Sequence, residues 1–303
     1  MMKRTLAVVT TLMALPACSA GGSAGEGSTV TPSTSVPAVL MPGDTSPTVT
    51  PTTPAAANTG QLFDPEDVEP TDECDGTIPV VFRDFSEAHP DFEMDFSGDG
   101  VRLNLIAPTL GADKKPVFAS SLGCPAQRGS QTCRTDYDAD RPVITSAASF
   151  DQWYRNDQAV NRTFDRELEL TEDPNTGLYK YSSGDFFPLT PMEGFGITPP
   201  GQGRNFLFTT EINLVFTYVA GQRFTFRGDD DLWIFINERL ALDLGAMHGV
   251  EEGTIDFDAQ AAALGIAPGR DYAMNIFHAE RHTSASNFTI ETNIACFTPG
   301  IVY

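Results

Sequence analysis

In the run Leu232-Trp233-Ile234-Phe235-Ile236, the residues Leu232, Ile234 and Ile236 alternate on one face, and Phe224 and Phe226 do the same just upstream. Period two is the spacing of a strand that packs one side against a core. Similar short apolar runs fall at 78–85, 101–107, 206–218, 223–226, 240–244, 253–257, 271–277 and 287–294, with turns between them. Many short strands at close spacing predict a mainly β fold, a single β-sandwich carrying one or two short helices. Leu232 is expected inside with Ile234 and Ile236, and Trp233 toward the other face of the sheet. A helix is expected at 149–158, with Ser149 as N-cap and Trp153 and Tyr154 on its inner side, and a single helical turn at 260–264.

The pattern does not extend to the N-terminus. Lys3 and Arg4 precede an apolar run at 5–15 that is too short to span a membrane. Leu15-Pro16-Ala17-Cys18 then resembles the bacterial lipoprotein signal, which implies a signal at 1–18, lipid on Cys18 and attachment to a membrane. Ser19 after the Cys implies the outer membrane or cell surface; ordinary cleavage near Ala20 would instead give a secreted soluble protein. Residues 19–73 are rich in Thr, Pro, Ser, Ala and Gly and cannot bury enough apolar surface to fold, so a disordered stalk is expected. The folded domain is placed at 74–303. Asp plus Glu total 41 against 19 Lys plus Arg, a net charge of -22 that repels polyanions and argues against nucleic acid as a partner. Cys74, Cys124, Cys133 and Cys296 follow the signal and read as two disulfides in an exported chain. Three pairings are open; Cys124 with Cys133 and Cys74 with Cys296 is the expected one.

Two constellations stand out. Asp229-Asp230-Asp231 puts three like charges at the mouth of a hydrophobic strand, and a bound hard cation such as Ca²⁺ would relieve their repulsion. A solvated acidic turn is the plain alternative. The second is His278-Ala279-Glu280-Arg281-His282, followed by the polar segment 283–287. Its H-x-E-x-H order on an alternating strand does not match the helical zinc-protease motif. Arg281 is a candidate partner for one of the Asp residues. Asp95-Phe96-Ser97-Gly98-Asp99-Gly100 opens like an EF-hand loop, but Ile106 occupies the closing Glu position, so an acidic turn is expected. Asp113-Lys114-Lys115-Pro116 reads as a hairpin tip. No nucleophile elbow or phosphate loop is present, and no catalytic residue is assigned.

A series of motifs resembles the bacterial fibro-slime domain: Arg83-Asp84-Phe85, His89-Pro90-Asp91-Phe92-Glu93, Ser149-Phe150-Asp151-Gln152-Trp153-Tyr154 with Asn161, Phe186-Phe187-Pro188-Leu189, Phe206-Leu207-Phe208-Thr209-Thr210-Glu211, the run 228–237, Asp243-Leu244-Gly245 with His248-Gly249, and 279–288. The resemblance covers about 78–293, and that family is similar to the PA-14 β-sandwich of adhesins, toxins and glycosidases. It implies that Asp229 and Asp230, often joined in sugar-binding members by a cis peptide, hold Ca²⁺, which in turn ligates sugar hydroxyls. Asn287 and nearby carbonyls are expected to complete the shell. His248, Arg281, His282 and Ser286 are expected to touch ligand or orient loops, and Asp231 to turn outward or cap the loop. Asn237-Glu238 and Gly245-Ala246 depart from the family's Asn-Gly and Gly-Gly, which puts the local hairpin turns in question.

These readings converge on a surface-anchored, Ca²⁺-dependent module that binds an extracellular polysaccharide or surface glycan. A structural surface or matrix protein with a purely structural metal is the alternative. A polysaccharide hydrolase would need a carboxylate pair that nothing in the sequence marks.

Overall fold

A computed structural model describes Cys74, residues 76–94 and residues 100–301. Cys18, the stalk at 19–73 and the Asp95–Asp99 part of the acidic turn lie outside the described residues. In chain order the elements are β1 (Thr77–Phe85), β2 (Arg102–Leu103), β3 (Cys124–Pro125), α1 (Ala147–Phe150), β4 (Asn161–Glu169), β5 (Thr171–Asp173), β6 (Leu178–Ser183), β7 (Phe208–Thr217), β8 (Arg223–Gly228), β9 (Asp231–Ile236), β10 (Arg239–Leu244), β11 (Glu251–Asp256), α2 (Phe257–Leu264), β12 (Asp271–Glu280), β13 (Phe288–Thr292) and β14 (Thr298–Pro299).

The long strands form the two antiparallel sheets of a sandwich. One runs β10-β9-β12-β7-β1-β4, with β14 also paired to β7; the other runs β11-β8-β13-β6-β5. Their facing sides share a core that includes Phe82, Phe208, Ile212, Leu232, Ile234, Ile236, Phe224, Phe226, Ile276 and Phe288. Leu232, Ile234 and Ile236 therefore point inward, as the alternation predicts. The outer side of the larger sheet is also covered. Phe85, Phe92, Leu105, Phe150, Trp153 and Tyr154 form a second core there with Trp233, Phe235 and Phe277. Burial on both faces explains why β9 reads as a continuous apolar run rather than an apolar/polar alternation.

Several local expectations change. The helix is α1, one turn long and two residues earlier than expected. Ser146 is the N-cap, and Ser149 is the N3 residue that returns the bond in a capping box. Trp153 and Tyr154 follow it and are buried as expected. The turn at 260–264 is the end of α2, capped by Asp256 and stopped by Gly265 at φ 70°. The run 101–107 supplies only the two-residue β2. Conversely β4, β5 and β6 were not expected, because they are polar and mostly exposed on outer positions. Asn237 and Glu238 adopt φ 51° and 64°, so the two-residue β9–β10 turn keeps left-handed geometry with Glu in the place that favours Gly. Ala246 likewise sits at φ 74°.

Both expected disulfides form, Cys74–Cys296 across 222 residues and Cys124–Cys133 across 9. They belong in an oxidising, extracytoplasmic setting. No helix among the described residues is long and apolar enough to cross a membrane. Chain-entropy arguments make the long-range bond worth about 5 kcal/mol and the local one about 2.5 kcal/mol. Urea unfolding of the two Cys→Ser pairs should show the larger loss for Cys74/Cys296.

Candidate functional site

Three connections cross from one sheet to the other at the same end of the sandwich: 229–230 between β8 and β9, 245–250 between β10 and β11, and 281–287 between β12 and β13. The ladders bring them together. Ala279 pairs with Asp231, Phe288 with Gly228, and Glu251 with Gly228. Gly228 is required by this closeness, since a Cβ there would lie 2.4 Å from the Asn287 carbonyl oxygen. The loops enclose a cleft of about 220 Å³ lined by Asp229, Asp230, Met247, His248, Gly249, His282, Thr283, Ser284 and Ala285. No Lys or Arg is among these residues.

The acidic triplet divides between different tasks. Asp229 accepts from the backbone N–H of Asn287 and, at 2.7 Å, from its Nδ2. Asp230, at φ 56°, accepts at Oδ2 from the backbone N–H groups of Arg281 (2.8 Å) and His282 (3.0 Å). The peptide between these two Asp is not cis. Asp231 neither turns outward nor caps an exposed loop. As the first residue of β9 it points away from the inner core, is fully buried, and pairs with Arg281 Nε at 2.6 Å. Its Oδ1 accepts from Ala246 N at 2.7 Å.

Arg281 lies outside the cleft too. Its Nη1 donates to the carbonyls of Asp91 (2.8 Å) and Val143 (2.9 Å), and its guanidinium sits 4.6 Å over the Trp153 ring. It is a structural charge whose backbone N–H alone serves Asp230. Ser286 is buried and donates to the Phe186 carbonyl, which fixes the 281–287 loop. His248 lines the cleft with its ring nitrogens on the carbonyls of Leu244 and Gly249. His282 lines it as well, with Nδ1 on the Thr283 carbonyl and Nε2 3.9 Å from Glu93. His278 does not join His282 at the cleft. It is fully buried among Phe186, Phe208, Phe226 and Phe288, and burial lowers its pKa to about 3.

Glu280, the acid of the H-x-E-x-H string, is given no role by the sequence. It ends the inward alternation Met274, Ile276, His278 and is fully buried. Neither carboxyl oxygen makes a hydrogen bond of acceptable geometry, and its polar neighbours are Asp230, Asp229 and Ser286. Burial, reinforced by the charges of Asp230 and Asp229, holds its pKa well above the usual carboxylate value. Burial likewise pushes Asp230 up to about 6, with Asp231 adding to the effect. The signal was available: period two along β12 carries Glu280 to the inner face beside the Asp pair. Among the described residues, no group of three or more His, Cys, Asp or Glu is arranged to hold a metal ion.

No family model matches the chain. Its sequence has clear relatives all the same. The chain is similar to psi proteins of Dictyostelium discoideum. It is 33% identical to protein psiQ over 232 residues, covering 73% of this chain and 21% of psiQ. It is 33% identical to protein psiC over 231 residues, covering 73% of this chain and 42% of psiC. The chain thus spans about a fifth to two fifths of these relatives. Among solved structures, the PA14 domain of the MpAFP antifreeze protein overlaps at TM-score 0.22 and 14% identity, over 30% of this chain and 44% of that one. The PA14 sugar-binding domain from an RTX adhesin overlaps at TM-score 0.21 and 11% identity, over 32% and 52%. Overlaps this weak carry no argument here.

A carboxyl with a raised folded-state pKa favours the fold below its unfolded pKa, near 4.3, and loses that contribution as pH rises through the folded value. In chelator, wild type should therefore lose melting temperature relative to Glu280→Gln as pH is raised from about 4 to about 8. Parallel pH curves for the two proteins would refute the burial of an ionising Glu280.

Proposed function

We propose that the domain is a binding module for a polyhydroxylated ligand of glycan type, engaged in the cleft between the three crossing loops. The observation that supports this best is the cleft's floor, where the buried carboxylates of Asp229 and Asp230 meet a lining without Lys or Arg. Carboxylates, the His282 ring and the Thr283 and Ser284 hydroxyls are suited to hydroxyl groups.

The donor chemistry also fits a hard cation. Asp229, Asp230 and Asn287 offer carboxylate and amide oxygens, and the two Glu280 oxygens, without a hydrogen bond of their own, lie beside the Asp pair. These residues would hold Ca²⁺, which when bound would neutralise the carboxylates and coordinate ligand hydroxyls. Asn287 anchors Asp229, and the N–H groups of Arg281 and His282 orient Asp230. With the lipid signal and stalk, this makes the chain a surface-anchored adhesion module rather than an enzyme. The fibro-slime resemblance supports the same reading.

A purely structural role for the loops has its own support, since Asp229 and Asp230 are already braced by protein N–H groups. Calcium titration with and without a polysaccharide panel separates the two. The binding reading expects calcium to raise the melting temperature and glycan retention to require calcium, with Asp230→Ala abolishing both. Calcium stabilisation without retention of any glycan supports the structural role. The absence of calcium binding at millimolar concentrations contradicts the metal assignment.

A further inference from the structure

A second buried polar cluster lies on the outer side of the larger sheet, away from the cleft. Glu211 and Asn213 are two apart on β7 and face the covering segment; Asn275 of β12 is the register partner of Asn213. Lys115 reaches them from the 111–115 turn, which closes by the Gly111 N–H on the Lys115 carbonyl. The sequence reads 113–116 as a hairpin tip, and in the fold Lys115 is 2% exposed, Glu211 1%, Asn213 3% and Asn275 6%.

Glu211 Oε1 is shared. Lys115 Nζ lies 2.5 Å from it and Asn213 Nδ2 2.8 Å from it. A carboxylate only accepts, so the Asn213 atom facing it is the NH₂, and this fixes Asn213 Oδ1 toward Asn275. Asn275 Nδ2 donates to that Oδ1 at 2.6 Å. An amine, a carboxylate and a carboxamide with a polarised carbonyl are thus held together in a buried site.

The charge count is also unusual. Arg83 Nη1 already pairs with Glu211 Oε2 at 2.8 Å, so one buried carboxylate faces two buried cations. The other acid near Lys115 is Asp113, which lies at the surface paired with Arg155. An excess buried cation is costly.

We propose that Lys115 and Asn213 become joined by an isopeptide bond, with Glu211 carrying protons between them and Asn275 positioned as oxyanion donor. Glu211 takes a proton from the Lys115 ammonium, and the freed Nζ lone pair attacks Asn213 Cγ. The carbonyl π pair moves onto Oδ1, where the Asn275 N–H receives it. Glu211 returns its proton to Nδ2, the Cγ–Nδ2 bond breaks with its electron pair on nitrogen, and ammonia leaves. The second proton shed by Nζ passes through Glu211 to the ammonia, which departs as ammonium. Glu211 ends as the carboxylate it began as, no oxidant or co-reactant is consumed, and one buried cation has gone. Burial lowers the Lys115 pKa from its ordinary value, which favours the free amine. Fixing amine and amide around one oxygen supplies the proximity that the slow uncatalysed reaction lacks.

The test is peptide mapping by mass spectrometry of the full-length protein, folded, then reduced and denatured. The expected result is a branched peptide joining the Lys115 and Asn213 segments, lighter by one ammonia than the two peptides together. Linear peptides with intact Lys115 and Asn213 would overturn the proposal. Lys115→Met should leave Asn213 linear and unmodified. Ammonia loss at Asn213 that persists in Lys115→Met would be cyclisation of Asn213 itself and would equally overturn it.

Discussion

Arg281 and Asp231 meet at 2.6 Å with both side chains fully buried, between the larger sheet and the segment that covers it. Neither charge could be left there alone. Desolvation of an isolated ion costs several kcal/mol, so each is tolerable only while the other stays in place. The pair does more than neutralise itself. Through Nη1, Arg281 holds the carbonyls of Asp91 and Val143, and its plane lies on Trp153, whose Nε1 donates to Asp91 Oδ2 at 3.0 Å. One guanidinium thereby ties strand β12, strand β9 and two stretches of the covering segment into one arrangement.

The cleft depends on this in turn. Arg281 opens the 281–287 loop, and Asp231 ends the 229–230 connection. Fixing both side chains on the outer side fixes the backbone N–H groups that receive Asp230 on the other. Strand alternation is what lets three adjacent carboxylates coexist. Asp231 is neutralised by an arginine, Asp229 rests on Asn287, and Asp230 is left with Glu280 as an acidic neighbour. The acidity of the site is thus a consequence of where β9 begins. The covering segment that shelters Arg281 also buries Lys115 against β7, so the same layer creates both unusual polar clusters.

Much of the fold was legible because the inner strands carry the spacing themselves. Phe224/Phe226 and Leu232/Ile234/Ile236 each declare a face, and both disulfides followed from loop length and the ends they close. β4 was not legible, since the charges of its NRTFDRELE sequence mask an edge strand with few apolar contacts. The helix shifted because both Ser146 and Ser149 can cap, and the choice depends on which turn Phe150 buries. In the site, Asp229, Asp230 and Asn287 could be brought together by motif order. Asp231 was misjudged because a charge beside a hydrophobic strand reads as exposed until the layer over it is known. Lys115 was hidden for the same reason, since burial by distant segments leaves no local trace, whereas the alternation along β12 did carry Glu280 to the inner face.

The central claim is that adjacent members of the acidic triplet have opposite roles, Asp231 in holding the fold and Asp230 in the cleft. Urea denaturation of calcium-free Asp231→Asn and Asp230→Asn measures this most directly. Breaking the buried pair should cost Asp231→Asn about 3–5 kcal/mol, while Asp230→Asn keeps an acceptor for its two N–H donors, sheds a repelling charge and should lose less than about 1 kcal/mol. Equal losses, or a larger loss for Asp230→Asn, would contradict the account.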